Sequence, residues 1–172
     1  FLDGDLGKLN ADTVNILVQP LLSDQADFVK ARFSRDAGRV TELVAKPLLS
    51  LLFPALAHYT QPLGGIVAAR RNFLQKVSFE DDFGVDIALL IDMSLMGARI
   101  LEVDIGLIEH KMKPWHQLTR MSKEVSRAIL TRAMMLSRTN LDDLETIFVI
   151  RDYMNDSIRD TVRQLRKMAV FD

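Results

Sequence analysis

The chain has 172 residues, 22 basic against 23 acidic side chains, no cysteine, and 48% hydrophobic residues. That length fits one domain with a real core; the balanced charge excludes a broad field for nucleic acid or an anionic membrane, so any anion site must be local. The absence of thiols excludes a disulfide framework and a thiolate metal site and agrees with a cytoplasmic protein, and no apolar run approaches the roughly 20 residues a membrane-spanning helix requires.

The first stretch, Phe1-Leu2-Asp3-Gly4-Asp5, sets two carboxylates one residue apart at the apolar end of a strand. Mg²⁺ and Mn²⁺ favour oxygen ligands, and one or two carboxylates with phosphate oxygens and water suit them. Gly4 keeps the turn open to a bulky anion, although Asp-x-Asp at a strand end is more often a turn signal. Only two residues precede the acids, whereas a strand usually runs about five; a further N-terminal portion is expected.

Residues 9–22 read as a short helix with Asn10 or Asp12 as N-cap and Pro20 disturbing its end. Residues 27–34 alternate, with Val29, Ala31 and Phe33 on one side and Lys30, Arg32 and Ser34 on the other, which reads as a strand with one wet or ligand-facing side. Asp36-Ala37-Gly38-Arg39 opens an apolar helix that ends near Pro54 and kinks at Pro47. Gln61-Pro62-Leu63-Gly64-Gly65 is a turn, its paired glycines allowing unusual dihedrals or a close backbone approach to a ligand. A short strand over 66–69 and a small helix around Phe73 and Leu74 follow. Then come a loop at 80–84, a buried helix over 85–96, a strand over 100–108, and helices over 115–137 and 141–168.

The candidates for chemistry sit at the ends of these elements, each beside a plainer reading. His110 follows a strand with Lys111 and Lys113 around it; imidazole is an acceptable ligand for Mn²⁺, and an unplaced histidine is also ordinary. Arg39 at a helix start opposes the positive end of the helix dipole, a sign that a bound anion reverses. Gly38, Arg39, Val40 and Thr41 therefore read as a pocket for phosphate or carboxylate, or Arg39 as a solvated cation beside Asp36. Asp86 caps the apolar helix or orients a sugar hydroxyl. Glu80, Asp81 and Asp82 read as a solvated loop with Phe79 tucked against the domain, and Trp115 and His116 as a packing anchor and a helix start. Leu141, Leu144, Phe148, Ile158, Val162 and Leu165 form an apolar stripe that suits a homodimer or packing on the domain itself.

Taken in order, the strings Phe-Leu-Asp-Gly-Asp-Leu from Phe1, Gly-Arg-Val-Thr-Glu-Leu-Val-Ala-Lys-Pro-Leu-Leu from Gly38, Gln-Pro-Leu-Gly-Gly from Gln61, Phe-Gly-Val-Asp-Ile-Ala-Leu-Leu-Ile-Asp from Phe83, and the His110 to Pro114 run make a pattern. In these the chain resembles the glucosyl-3-phosphoglycerate and mannosyl-3-phosphoglycerate synthases, retaining glycosyltransferases of family 81, from Phe1 to about Arg132. The resemblance implies an α/β fold, the C-terminal portion of a GT-A (Rossmann-like) sheet domain followed by a helical tail. Residues 1–114 would form the acceptor- and metal-binding part and residues 115–172 the helical segment.

It further implies that Asp5, beside Asp3, meets Mg²⁺ or Mn²⁺ and the donor nucleotide, and that His110 completes the metal site. Gly38, Arg39, Val40 and Thr41 would receive the phosphoglycerate acceptor, Leu63, Gly64 and Gly65 would lie along the donor and reacting centre, and Asp86 would hold the donor sugar. The partners implied are a nucleotide sugar, UDP-glucose or GDP-mannose, and a phosphorylated small molecule. Ile108, Met112 and Phe83 depart from the arginine, asparagine and tyrosine of the glucosyl pattern, which leaves both substrates open. Two other classes compete: an inverting transferase with Asp82 or Asp86 as general base, and a non-catalytic helical oligomerisation module. The piece by itself is expected to be inactive.

Overall fold

The computed structural model describes residues 1–2, 12–34, 38–107, 115–136 and 159. The first helix, α1 (Thr13–Leu22), starts after Asp12, which makes no side-chain cap bond there; the predicted start at residue 9 and the alternative cap Asn10 lie outside the described residues. Pro20 sits in the last turn, and the chain leaves by a Schellman closure. The Gln25 N–H donates to the Pro20 carbonyl at 2.9 Å and the Asp24 N–H to that of Leu21 at 3.4 Å. Asp24 takes the left-handed conformation this requires, φ 57°, at the position usually given to glycine.

Three strands, β1 (Phe28–Ser34), β2 (Val67–Ala69) and β3 (Ile100–Leu107), form a sheet in the order β2-β1-β3. β1 runs antiparallel to β2 and parallel to β3. On the far side of β2, Phe1 and Val67 exchange both backbone bonds, at 2.8 and 3.1 Å, the pattern of an antiparallel pair. Phe1 and Leu2 therefore run in the direction of β1 and β3.

The wet face predicted for β1 is only partly wet. Phe28 and Lys30 are fully buried on that side, and Arg32 reaches solvent, paired with Asp104 at 3.3 Å. The reason is that both faces of β1 are covered. Val29, Ala31 and Phe33 pack with Leu17 of α1 and Ile66, while Phe28 joins the larger core built by α2 (Lys46–Leu52), α4 (Val85–Leu95) and α5 (Trp115–Met135).

The kink predicted at Pro47 is present as a π-helical turn, Thr41–Ala45, immediately before α2. Proline has no N–H and crowds the carbonyl four residues back. The wider turn accommodates it, with the Lys46 N–H reaching five residues back to Thr41. A small helix α3 (Arg71–Leu74) follows β2 as expected. Gly84 lets α4 and α5 close on each other, because a Cβ there would stand 2.9 Å from the Ala128 Cβ. Val125, Ala128, Ile129 and Ala133 of α5 share the core of Phe28, so the division at residue 114 separates elements and not cores. The predicted helix 141–168 lies outside the described residues except Arg159, and among the described residues no helix is long and apolar enough to cross a membrane.

At the opposite end of the sheet from the site, Asp27 ties β1 to β3. Its carboxylate accepts from the Arg99 backbone N–H (3.0 Å) and Nε (2.9 Å). Arg70 Nε stands 3.1 Å away, off the hydrogen-bond line, as an ion pair. The Arg99 side-chain and backbone donors hold the Asp27 carboxyl well below the usual carboxylate range. A depressed folded-state pKa stabilises at pH above the ordinary value of about 3.9 and loses that contribution as pH falls below it. We expect Asp27→Asn to flatten the acid limb of the unfolding profile below about pH 4, measured by urea denaturation against pH.

Candidate active site

In a sheet of this kind ligands are bound beyond the carboxyl ends of the parallel strands. Four segments reach that edge. Gly38–Thr41 follows β1 and begins a helical run. Gly38 takes φ 142°, a value open to glycine, and its carbonyl accepts from the Glu42 N–H at 2.9 Å. Val40 and Thr41 are buried, while Gly38 and Arg39 are half-exposed.

The second segment is the turn before β2. Because β2 is antiparallel, the residues preceding it lie beside the carboxyl half of β1, and the Ala31 N–H donates to the Ile66 carbonyl at 2.9 Å. A β-turn is closed by the Gly64 N–H on the Gln61 carbonyl at 3.0 Å. Neither Gly64 nor Gly65 has a positive φ, so unusual dihedrals are not the reason for the pair, and what crowds Gly64 is the turn itself. A Cβ there would stand 3.2 Å from the Gln61 carbonyl oxygen. The whole turn, Gln61 and Leu63 included, is buried.

β3 supplies the third. It leaves the sheet at Leu107, level with Ser34, after a bulge in which three residue steps on β3 span two on β1. Gly106, φ 86°, takes the strain of that bulge, and its N–H donates to Asp104 Oδ1 at 2.8 Å. Leu2 is the fourth, heading to the same edge from beyond β2. Asp3, Asp5 and His110, the proposed metal ligands, lie outside the described residues, as do the departures Ile108 and Met112. Among the described residues no group of three His, Asp or Glu is placed to hold a metal.

Asp86 sits half-buried in the first turn of α4 but does not cap it: the N-cap residue is Gly84, with no side-chain cap bond. The preceding loop is anchored instead by acids and arginines. The Gly84 N–H donates to Asp82 Oδ1 at 2.8 Å and the Phe83 N–H to Glu124 at 3.1 Å. Asp82 pairs with Arg127, and Glu80 with Arg132 at 2.8 Å. This corrects the solvated loop expected for Glu80, Asp81 and Asp82: two of the three are paired, and Asp81 alone is exposed. Phe79 is not tucked in either, but half-exposed with its ring 5.9 Å from that of Phe1.

Three residues that hold the turn were not singled out for this role from sequence. Lys30, with no exposed surface, donates from Nζ to the Gly64 carbonyl at 2.8 Å. Glu102 accepts from the Thr60 and Gln61 N–H groups at 2.8 and 3.1 Å. Gln61 Nε2 donates to the Phe33 carbonyl at 3.2 Å, and its buried Oε1 has no hydrogen-bond partner among the described residues. For Lys30 the available signal was a cation set between apolar neighbours in β1, which Arg32 shares.

The mixed sheet, its covering helices and the loops gathered at one edge are those of a GT-A domain. No family model matches the chain. It is 36% identical over 156 residues to the glucosyl-3-phosphoglycerate synthase of Petrotoga mobilis, covering 83% of this chain and 48% of that one. It is 40% identical to the synthase of Mycolicibacterium paratuberculosis, covering 77% of this chain and 45% of the relative. The Mycobacterium tuberculosis synthase, solved with Mn²⁺, uridine diphosphate glucose and phosphoglyceric acid, superposes with a TM-score of 0.71 at 39% identity over 77% of this chain and 48% of that chain. The protein is thus a homologue of the glucosyl-3-phosphoglycerate synthases, and the chain spans about half the length of the curated relatives it matches.

Proposed function

We propose that residues 1–114 are the acceptor- and metal-binding part of a retaining glucosyltransferase that moves glucose from a nucleotide sugar to 3-phosphoglycerate, and that residues 115–172 are its helical segment. One observation carries this reading: Leu2, the Leu63–Gly65 turn, the Gly38–Thr41 helix start and the end of β3 meet at a single edge of the sheet. The metal ligands fit that edge by reach. Leu2 and Leu107 flank three inter-strand spacings, about 14 Å. Asp5 and His110 each follow by three residues, about 10 Å of extended chain apiece. Carboxylates with an imidazole suit Mn²⁺ or Mg²⁺.

Such a cation supplies charge neutralisation for the departing diphosphate. The chain's own residues do the rest. Asp3 and Asp5 orient the donor, and the helix start at Gly38–Thr41, with Arg39, holds the acceptor's phosphate or carboxylate through amide donors and charge. Asp86 fixes the sugar through its hydroxyls. The acceptor hydroxyl oxygen bonds to the anomeric carbon on the face from which the diphosphate leaves and its proton passes to the departing phosphate oxygen, so no carboxylate base is required. GDP-mannose is the second donor to be tried, since Ile108, Met112 and Phe83 remove polar groups of the glucosyl pattern. A cytoplasmic location follows from charged, soluble substrates, and a homodimer through the stripe from Leu141 to Leu165 completes the proposal.

The test is a screen of UDP-glucose and GDP-mannose with 3-phosphoglycerate on the full-length protein, with the anomeric configuration of the product read by NMR. Glucosyl transfer with retention is the expected result. Inversion would replace the retaining mechanism by one with a carboxylate base, and a folded protein that transfers neither sugar would leave the non-catalytic reading in its place.

A further inference from the structure

We propose that α5 belongs to the donor site: Glu124, and Arg127 acting through Asp82, are positioning residues that fix the Phe83–Gly84 backbone and thereby set where Asp86 stands. The proposal rests on the transferase reading above and extends it into the helical segment, to which that reading gives no part in the chemistry.

The course of α4 makes this junction matter. β2 ends and β3 begins beside Phe28, at the edge of the sheet away from the site. α4 ends five residues before β3, and its 11 residues span about 16 Å. It packs on the sheet in the core of Phe28, so its first turn, with Asp86, lies towards the site edge. α5 runs beside it and also packs on the Thr41–Ala45 turn that follows Gly38.

Arg120, Glu124 and Arg127 share one face of α5 and grip the two residues before α4. Glu124 accepts from the Phe83 N–H at 3.1 Å. Arg120 donates to the same carboxylate at 2.7 Å and lies over the Phe83 ring, 6.0 Å from its centre. Arg127 pairs with Asp82, whose Oδ1 accepts from the Gly84 N–H at 2.8 Å. Gly84 itself is pressed on α5, where a Cβ would meet the Glu124 carbonyl oxygen at 3.2 Å.

Stability alone does not call for this arrangement. Both arginines are mostly exposed, and exposed ion pairs add little. Phe83 is exposed too, and water serves an N–H at such a residue equally well. What the bonds fix is a backbone position: two successive N–H groups are each held by a carboxylate that an arginine of α5 holds in turn. Asp86 follows two residues after Gly84 on a rigid helix, so a displacement there is carried to it. A misplacement of about 1 Å at a reacting centre costs up to about 100-fold in rate.

The experiment uses the full-length protein with Glu124→Ala, Glu124→Gln and Arg127→Ala. Hydrogen exchange at the Phe83 amide is expected to quicken about tenfold in Glu124→Ala. In that variant kcat/KM for UDP-glucose should fall about 30-fold, and the KM for 3-phosphoglycerate should stay within about twofold. Glutamine keeps the acceptor oxygen, so Glu124→Gln should lose no more than about threefold. Arg127→Ala should lose about tenfold. Unchanged exchange at Phe83 overturns the clamp whether or not the wild type transfers glucose, and an inactive wild type overturns only the transferase reading. Equal losses in Glu124→Ala and Glu124→Gln, or a lower melting temperature with full kcat/KM per folded molecule, make Glu124 an ion-pair partner only and overturn the proposal. Should Glu124→Ala fail to fold, an unaltered kcat/KM in Arg127→Ala overturns it.

Discussion

Asp5→Ala and His110→Ala, each in the full-length protein, are expected to lower kcat by about 10³-fold while leaving the fold intact. In the proposed transfer the protein would do little covalent work, and the barrier would lie in charge gathering on the leaving diphosphate. A divalent cation there supplies several kcal/mol, and about 4 kcal/mol corresponds to a thousandfold in rate. Either ligand removed leaves a site that holds the cation weakly, so high Mn²⁺ should restore part of the loss. Calorimetry on Mn²⁺ with uridine diphosphate separates this from a folding defect: the variants should bind the pair at least tenfold more weakly and melt with the wild type. Turnover by His110→Ala equal to wild type at limiting Mn²⁺ would remove the histidine from the site, and with it the reach argument from Leu107.

Which parts of this were legible beforehand follows from how far each signal extends along the chain. The apolar run from Val85 and the alternation from Ile100 are local, and α4 and β3 lie within one residue of expectation at each end. The strings around Gly38 and Gln61 are local too, and the helix start at Gly38–Thr41 and the turn were read from them. Failures came where a partner lies far off in sequence. Glu80 and Asp82 look solvated because Arg127 and Arg132, which pair with them, are 45 to 52 residues downstream. Lys30 looks wet because alternation assigns a face and cannot say that the face is buried there as it is at Phe28. The paired glycines suggested unusual dihedrals or a close approach to a ligand, whereas neither has a positive φ and Gly64 is crowded by the carbonyl of Gln61 in its own turn. Asp24 in the left-handed conformation had no signal at all, since an aspartate after a helix reads equally as an ordinary turn residue.

Arg132→Met is expected to cost about 3 kcal/mol of stability, the largest effect of any single substitution away from the site. Its guanidinium is 9% exposed and meets Asp92 through two parallel bonds, Nε to Oδ1 at 2.7 Å and a terminal nitrogen to Oδ2 at 2.8 Å. Its other terminal nitrogen donates to Glu80 at 2.8 Å. Methionine keeps the apolar stem but strands Asp92 in a half-buried position and leaves Glu80 only its longer pairing with Arg127 at 3.5 Å, and that uncompensated charge is where the penalty arises. For a chain of this size the loss amounts to a fall in melting temperature of roughly 6–12 °C. Arg132→Met combined with Asp92→Leu should recover more than half of it, because the stranded charge and not the lost pair is the main cost. The consequence reaches the site through Glu80, which begins the loop leading into α4. With Arg132 gone, Asp86 keeps its place in the helix but loses part of the anchorage of the segment before it. The single variant should therefore show a raised KM for the nucleotide sugar alongside its lower melting temperature, and the double variant, which leaves Glu80 only its longer pairing with Arg127 at 3.5 Å, should recover the melting temperature but not the KM. Parallel recovery of both would confine the network to stability.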